Sequence, residues 1–247
     1  MTAFPRYNII MKIQYDKGFD YYSNDDTSRV FQLFPDSHKD ERGYFMEVIK
    51  DYGRWPYKDI PMWLSNLQWI RQINRSSSKK GVVRGCHAQR GIFCQGKLVE
   101  AITDVIFDII TDMRPDSKSF GSSEIFKLDP EIHNLLWVPK GFLHCVIFPK
   151  VEKSAILQYY CDQTYDKNSE FCVNPVSLIP DVVKGVEKLY ETNDVKDTDY
   201  DMLFDMFKEG NEDKLIYSEK DIKSMDYEDF VIKVKDEYEK DHRLWFR

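Results

Sequence analysis

The sequence predicts a mainly β protein, an antiparallel sandwich or jelly roll that carries helices in its C-terminal part. Residues 28–180 contain many short apolar runs, bounded by Gly, Pro, Asp or Lys-rich turn signals. No long helical pattern separates these runs, which is typical of an all-β architecture. Beyond Pro180 the apolar residues change to helical spacing.

The strands are predicted from five runs rich in Val, Ile, Leu and aromatic residues. The longest, residues 96–114, alternates in places and contains a predicted tight turn near Thr103 and Asp104. The other four are SSEIFKL at 122–128, NLLWVP at 134–139, LHCVIF at 143–148 and SAILQYYC at 154–161. Each run has the length of a strand, and a turn signal separates it from the next.

Three apolar stripes at helical spacing follow Pro180. The first two predict a helical hairpin, of which the second helix ends at Gly210, and the third predicts a C-terminal helix. The stripes comprise Val182, Val183, Val186, Leu189 and Tyr190, then Leu203, Met206 and Phe207, and finally Phe230, Val234 and Tyr238.

The net charge of −7 is concentrated in the segment that carries the predicted hairpin. Residues 181–214 hold 11 acidic residues against five lysines, a balance of −6 that leaves −1 for the rest of the chain. The acidity argues against a general nucleic-acid binder, whereas the nearly neutral main body can accept an anionic substrate. We therefore expect a β domain at 1–180, an acidic helical insertion packed on it at 181–217 and a C-terminal segment at 218–247.

Targeting and redox signals predict a cytoplasmic protein that does not act at a membrane. No apolar run approaches the ~18–20 residues that span a bilayer. The N-terminus has no basic region followed by an apolar stretch and a small-residue cleavage site. The five cysteines form no CxxC pair, so reduced thiols are expected rather than a disulfide framework or a zinc knuckle.

Three short blocks are dense in residues suited to chemistry. They are DERGYFMEV at 40–48, QINRSSSKKGVVRGCHAQRGIFCQGKLVE at 72–100 and LWVPKGFLHCVIFPK at 136–150. Together with SAILQYYCDQTYDKNSE at 154–170, they resemble the dTDP-4-dehydrorhamnose 3,5-epimerase family of nucleotide-sugar epimerases. The most specific matches are RGxHxQ followed by QGK, the PxGFxH run and the DERGxFxE block. The resemblance returns at SEKD, residues 218–221.

This resemblance implies a cupin, a double-stranded β-helix, and PKGFLH matches the PxGxxH half-signature of cupins. Many cupins bind a metal through an HxH pair, a carboxylate and a later histidine, because first-row cations need several converging ligands. Here the pair is His87 and Gln89, and no glutamate follows until Glu100. We therefore expect neither a metal nor a cofactor, as the resemblance also implies.

Inversion of a carbon next to a ketone requires a base, a group that stabilises the enolate, and an acid on the opposite face. The resemblance assigns the base to His87 and the cation beside the enolate oxygen to Lys97. It assigns the acid to Tyr159, rather than Tyr160, if the hairpin after His144 is about two residues longer than usual.

A base histidine needs a carboxylate on its other nitrogen. The resemblance gives this role to Asp221, provided that residues 181–214 are an insertion. The alternative is that Ser218-x-x-Asp221 is only a helix-start pattern.

Nine further residues match substrate-binding positions of the family. Arginine forks suit diphosphate oxygens, and flat aromatic rings can stack on a pyrimidine base. Since the DERGxFxE segment of the family crosses a dimer interface, we expect a homodimer in which Arg42 and Phe45 serve the neighbouring subunit. The nine residues are Arg42, Phe45, Glu47, Gln72, Asn74, Arg84, His144, Tyr165 and Glu170.

The expected function is inversion of C3 and C5 of a nucleotide-linked 4-keto-6-deoxyhexose, with a nucleotide-diphosphate sugar as the ligand. A single-position epimerase at C3 or C5, acting on a dTDP-, CDP- or GDP-sugar, would use the same residues. A 3,4-ketoisomerase is disfavoured because Gln89 replaces a second histidine. Further alternatives are a cupin that only binds the nucleotide sugar and a metal-dependent cupin oxygenase. Departures from the family pattern at Cys145 and at residues 173–175 leave the exact sugar and nucleotide open.

Overall fold

A computed structural model describes residues 11–21, 26–49, 63–64, 67–150, 153–193 and 195–242. Most of the strands form two antiparallel sheets, which confirms the predicted mainly β architecture. The first sheet contains β1 (Met11–Tyr15), β2 (Phe31–Pro35), β5 (Gln72–Ser78), β7 (Lys97–Ala101), β10 (Leu135–Val138) and β12 (Ala155–Cys161). The second contains β6 (Val83–Gln89), β8 (Ile106–Asp112), β9 (Ser123–Leu128), β11 (Phe142–Ile147) and β13 (Glu170–Cys172). A separate hairpin joins β3 (Ser37–Asp40) to β4 (Gly43–Met46).

The strand orders are β1-β2-β10-β7-β12-β5 in the six-stranded sheet and β13-β6-β11-β8-β9 in the five-stranded sheet. All neighbours in both sheets are antiparallel. The turn predicted near Thr103 and Asp104 lies between β7 and β8, which belong to different sheets. It therefore carries the chain across the sandwich and does not close a hairpin. Thr103 Oγ1 accepts a hydrogen bond of 3.0 Å from the backbone N–H of Ile156 in β12.

Side chains alternate across each sheet and so supply three apolar layers. The central layer lies between the sheets, the second covers the outer face of the five-stranded sheet, and the third covers the outer face of the six-stranded sheet. Ile110 and Ile109, adjacent on β8, belong to the central and second layers respectively. The third layer includes Phe31 and Trp137, whose rings stack with centroids 6.3 Å apart.

The helices pack on the second layer. They are α1 (Ile179–Thr192), α2 (Thr198–Met206), α3 (Glu219–Ile222) and α4 (Tyr227–Lys240). Val183, Leu203, Phe230 and Val234 from the predicted stripes are all buried in this layer. Leu189 departs from its predicted stripe, because its side chain is 60% exposed. None of the described helices is both long enough and apolar enough to cross a bilayer.

The acidic segment is attached to the sheet by charge as well as by apolar contact. Lys127 on β9 forms ion pairs of 2.7 Å with Asp197 and 3.2 Å with Asp199. Asp197 is also the N-cap of α2, where its side chain accepts from the N–H of Asp199. α2 ends at Met206, four residues before the predicted stop at Gly210, which has a φ of +85°. The division of the chain into three parts stays a prediction.

The C-terminal segment returns to the five-stranded sheet at two points. Ile216 forms a parallel bridge with Val82, just before β6, and Met225 forms one with Val173, just after β13. The short helix α3 lies between these bridges and is thereby held against β6. This position is what brings Asp221 to the histidine of β6.

Candidate active site

A cavity of about 270 Å³ opens between the two sheets. The five-stranded sheet contributes His87, Gln89 and His144, and the six-stranded sheet contributes Gln72, Lys97 and Tyr159, among others. Eight of the predicted site residues thus meet in one cavity. Its lining residues are Gln72, Asn74, His87, Ala88, Gln89, Gln95, Lys97, His144, Tyr159, Tyr165 and Glu170.

The glycine of the RGxHxQ run allows β6 and β11 to approach closely. Gly85 has a φ of +112°, and a Cβ atom at this position would lie 2.5 Å from the backbone oxygen of His144. The two strands therefore bring His87 directly opposite His144 in the register. Any larger residue at position 85 would push these histidines apart.

His87 is bonded to Asp221 behind the cavity. The Nε2 atom of His87 lies 2.7 Å from Oδ1 of Asp221, which is almost fully buried. Ser218 caps α3 by accepting the N–H of Asp221, so the helix-start pattern and the carboxylate contact occur together. The two interpretations of Ser218-x-x-Asp221 are therefore compatible.

The partners of His87 make it an unusually strong base. Burial alone would lower the pKa of His87, but its hydrogen bonds with Asp221 and Cys172, and the negative charge beside it, outweigh burial and raise the pKa to about 9. The pKa of Asp221 is lowered although burial opposes this, because His87 stabilises the carboxylate. An imidazolium–carboxylate pair is thus the resting form near neutral pH.

His144 is bonded to a carboxylate that the sequence analysis did not identify. Its Nδ1 atom lies 2.9 Å from Oδ2 and 3.0 Å from Oδ1 of Asp108, which is completely buried on β8. Burial lowers the pKa of His144, and the nearby charge of Lys97 adds to this effect against the attraction of Asp108. His144 is therefore a neutral imidazole that can only hydrogen-bond to a ligand.

Lys97 is a buried cation at the start of β7. Its predecessor Gly96 is required because a Cβ there would lie 2.5 Å from the ring of Trp137. Burial lowers the pKa of Lys97, while Cys161, Asp108 and other negative groups oppose the shift. A charge in this setting acts through a low dielectric and interacts strongly with any oxyanion that forms in the cavity.

Tyr159 enters the cavity from the sheet opposite His87. Burial raises its pKa, and its ring stands edge-on to His144 with centroids 6.1 Å apart. Tyr160 points to the other face of β12, where it packs on the third apolar layer and accepts a hydrogen bond from Gln158. Of these two adjacent tyrosines, only Tyr159 lines the cavity.

Glu170 and Tyr165 form the rim. Tyr165 is half exposed, and its hydroxyl donates a 2.9 Å hydrogen bond to Glu170. Burial would raise the pKa of Glu170, but bonds from Lys220 and Tyr165 and the charge of His87 lower it. Glu170 therefore presents a carboxylate 3.9 Å from Nδ1 of His87.

Glutamines fix the loop that carries the rim. The side-chain amide of Gln89 donates to the carbonyl of Asp166 at 2.8 Å and accepts its N–H at 3.0 Å. The oxygen of Gln72 accepts the N–H of Tyr165, while its nitrogen donates to Asn74. Both the nitrogen and the oxygen of the Gln89 side chain are thus bonded to the backbone of Asp166, which accounts for an amide where other cupins place a metal-binding histidine.

Four predicted site residues lie away from the cavity. Arg42 and Phe45 are exposed on the β3–β4 hairpin, where Arg42 pairs with Asp40 at 2.5 Å, and Glu47 directly follows that hairpin. Arg84 is close enough for its charge to act on the pKa of Tyr159. Its guanidinium, however, donates hydrogen bonds to the hydroxyl of Ser78 and the carbonyl of Ser77. Within one chain, the structure does not bring these four side chains into the lining.

The sequence analysis also missed Gln95, Lys220 and Cys172. Asp108 could have been found, because an aspartate inside the apolar run VIFDII must have a partner when it is buried. Cys172, His87 and Asp221 bring three potential metal-ligand atoms within 4.8 Å of one another. No local pattern signals this group, since its members are far apart in the chain.

The fold and the site together define a class of protein, a cupin-type isomerase that moves a proton next to a carbonyl group of a sugar. A family model described as dTDP-4-dehydrorhamnose 3,5-epimerase matches residues 26–229. The chain belongs to the dTDP-4-dehydrorhamnose 3,5-epimerase family, as its motifs indicated.

Curated relatives support this assignment. The dTDP-4-dehydrorhamnose 3,5-epimerase of Salmonella typhimurium is 35% identical over 141 residues, which are 57% of this chain and 73% of the relative. The enzyme of the same name from Escherichia coli is also 35% identical over 141 residues, 57% of this chain and 72% of the relative.

Solved structures share the fold. A crystal structure of dTDP-4-dehydrorhamnose 3,5-epimerase from Elizabethkingia anophelis is 26% identical with a TM-score of 0.59, covering 88% of this chain and 97% of that chain. A 4-keto-6-deoxy sugar epimerase from Streptomyces spheroides has a TM-score of 0.61 at 19% identity, covering 95% and 93%.

Proposed function

We propose that the protein inverts both C3 and C5 of a nucleotide-linked 4-keto-6-deoxyhexose, converting dTDP-4-dehydro-6-deoxyglucose to dTDP-4-dehydrorhamnose. The main observation that supports this proposal is that His87 and Tyr159 face one cavity from opposite sheets. A sugar carbon held between them can lose a proton to one sheet and gain a proton from the other. This is the geometry that inversion requires, and the relatives that match at 35% identity bear the name of this activity.

His87 is proposed as the base and Asp221 as its positioning partner. Asp221 holds Nε2, so Nδ1 is the nitrogen that takes the proton from C3 or C5 once the resting imidazolium has released its own Nδ1 proton. The carboxylate fixes the ring and stabilises the imidazolium that forms. Because the pair has a raised pKa, proton transfer to it is more favourable than to an isolated histidine.

Lys97 is proposed to stabilise the enolate, and Tyr159 to return the proton. When the α-proton leaves, negative charge develops on the C4 oxygen, and a fixed buried cation lowers the energy of that state. Burial keeps the Tyr159 hydroxyl protonated, so it is a competent donor on the face opposite His87. Neutral His144 can hold a sugar oxygen without competing for the proton.

The remainder of the substrate is proposed to lie along the rim and across a homodimer interface. The cavity of about 270 Å³ is slightly smaller than the ~300–1,000 Å³ of typical pockets for drug-sized ligands, so it suits the sugar ring alone. Tyr165 at the rim is proposed to meet the nucleoside, and Arg84, whose guanidinium is bonded to Ser78 and Ser77 in the free chain, is proposed to meet the diphosphate. The side chain of Phe45 on the β3–β4 hairpin is 66% exposed, which supports donation of this hairpin to a partner subunit.

We also propose a cytoplasmic location, since the five cysteines carry free thiols.

The test is incubation of the protein with dTDP-4-keto-6-deoxyglucose in D2O. We expect deuterium at both C3 and C5, measured by mass spectrometry, and inverted configuration at both, measured by NMR coupling constants. Deuterium at one carbon would establish a single-position epimerase, and at neither a binding protein. His87→Asn is the matched control. Parallel incubations with the CDP- and GDP-linked sugars test which nucleotide the protein accepts.

A further inference from the structure

Cys172 lies beside His87, whose pKa it helps to raise, although the proposed reaction gives its thiol no direct contact with the substrate. It stands directly opposite His87 in the pairing of β13 with β6, so both side chains are on the same face. Its thiol is close enough to His87 and Lys220 to contribute to the raised pKa of both groups. The other four cysteines are buried, whereas Cys172 is partly accessible.

The group formed by His87, Cys172 and Asp221 has the donor chemistry of a zinc site. One nitrogen, one sulfur and one carboxylate oxygen lie within 4.8 Å of one another. Bond lengths of about 2.0–2.3 Å place tetrahedral zinc ligands about 3.3–3.8 Å apart, so small side-chain movements would close the site. Within the described parts of the chain this is the one such group of three or more donors.

The surroundings favour a fixed site with one open position. Two donors are on paired strands, and the third is held by the cap of α3. Glu170, 3.9 Å from His87, adds negative charge. Lys220 opposes a cation, but its side chain is 57% exposed and can turn to solvent. A tetrahedral ion held by these three donors would keep one open position.

We propose that His87, Cys172 and Asp221 form an inhibitory site for a thiophilic divalent cation such as Zn²⁺. Binding releases the thiol proton of Cys172 and the proton that His87 shares with Asp221, and no electron is transferred. The ion takes the histidine lone pair and separates it from its carboxylate. The inhibition rests on the proposed function, because it assumes that His87 is the base, whereas the binding does not.

Binding is tested without substrate, on the wild-type protein and on Cys172→Ser, Cys172→Ala and Cys145→Ala. Co²⁺ should give a near-ultraviolet thiolate-to-cobalt charge-transfer band in wild type and in Cys145→Ala, the matched control, and no band in either Cys172 variant. Zn²⁺ competed against a chromophoric chelator should bind one equivalent, at least about tenfold more weakly in the Cys172 variants. Equal affinity in all proteins, or a band that survives loss of Cys172, would overturn the site.

Inhibition is tested by deuterium exchange at rising free Zn²⁺. Wild type should lose exchange as the site fills, and Cys172→Ser, measured relative to its own metal-free exchange, should require at least about tenfold more Zn²⁺. Exchange that continues at full occupancy would overturn the inhibition. Absence of exchange in the metal-free wild type would instead refute the proposed function and leave the cobalt result intact.

Discussion

The two histidines of the cavity are neighbours across paired strands and each is bonded to an aspartate, yet their proton affinities are shifted in opposite directions. His87 with Asp221 has a pKa raised to about 9, whereas the pKa of His144 with Asp108 is lowered. His144 is almost fully buried and near the charge of Lys97, while His87 is partly accessible and has a thiol as an additional partner. The same pair of residue types therefore yields a strong base in one place and a neutral hydrogen-bonding group in the other.

The difference shows that a carboxylate partner does not by itself decide what a histidine does. At His87 the hydrogen bonds and charges of Asp221 and Cys172 together exceed the cost of burial, whereas at His144 burial, assisted by the charge of Lys97, outweighs Asp108. In the proposed reaction Asp221 stabilises a positive charge during turnover, whereas Asp108 only orients a neutral ring. The effects of substitution at the two pairs should differ accordingly.

Removal of the base should have the largest effect. We expect His87→Asn to lower deuterium exchange at C3 and C5 by about 10⁴-fold or to abolish it, because a general base contributes about 10²–10⁴ and no other group replaces it. His144→Asn, the matched control on the paired strand, should retain measurable exchange. The assay is mass spectrometry after a fixed time in D2O. Near-wild-type exchange in His87→Asn would show that His87 is not the base.

Loss of the carboxylate behind the base should come next. Asp221→Asn should lower turnover by about 100-fold with little change in KM, since Asp221 acts on the base and not on the ligand. In wild type, kcat/KM should rise with pH up to about 9, because the base must lose its proton first. In Asp221→Asn the pH at which kcat/KM stops rising should be lower. Burial lowers the pKa of His87, and without the carboxylate less opposes this effect. If Asp181→Asn has this effect instead, Asp221 is not the partner.

Loss of the proposed acid should separate exchange from inversion. Tyr159→Phe should keep part of the deuterium incorporation and lose most of the epimerised product, because His87 can still remove a proton and return a solvent-derived one to the same face. Tyr160→Phe is the matched control, as Tyr160 faces away from the cavity. Lys97→Met should lose both reactions through loss of enolate stabilisation. Normal inversion by Tyr159→Phe would show that another residue is the acid, and Tyr165→Phe would then be tested.

The smallest effect is expected at the second aspartate. Asp108→Asn keeps an oxygen that can accept the Nδ1–H of His144, so turnover should fall only about tenfold. The break in kcat/KM near pH 9 should remain, because the His87 pair is intact. A loss as large as that of Asp221→Asn would show that both carboxylates balance a positive charge, and the distinction between the two pairs would fail.

The strand pattern and the motif blocks predicted much of the fold and most of the cavity. Alternation in residues 96–114 located two strands and the turn between them, but it could not show that the turn crosses from one sheet to the other. That outcome depends on pairing between distant strands. Leu189 was assigned to the buried stripe from its spacing, yet spacing cannot tell how far a helix extends beyond the sheet it covers.

The residues that line the cavity were predictable where a motif holds several of them together. His87 and Lys97 lie in one block with recognisable spacing, and the cavity contains both. Asp108 escaped notice because its function arises only from the pairing of β8 with β11. Cys172 and Lys220 meet His87 through a strand pairing and a helix that no local pattern reveals.

The position of α3 also sets the order in which the site can form during protein synthesis. Every residue that lines the cavity has been translated by Glu170, and the two sheets can then associate. Asp221 follows His87 by 134 residues, after both helices of the acidic segment. A nascent chain halted before α3 would therefore contain every lining residue of the cavity, but its histidine would lack the carboxylate that helps to raise its pKa.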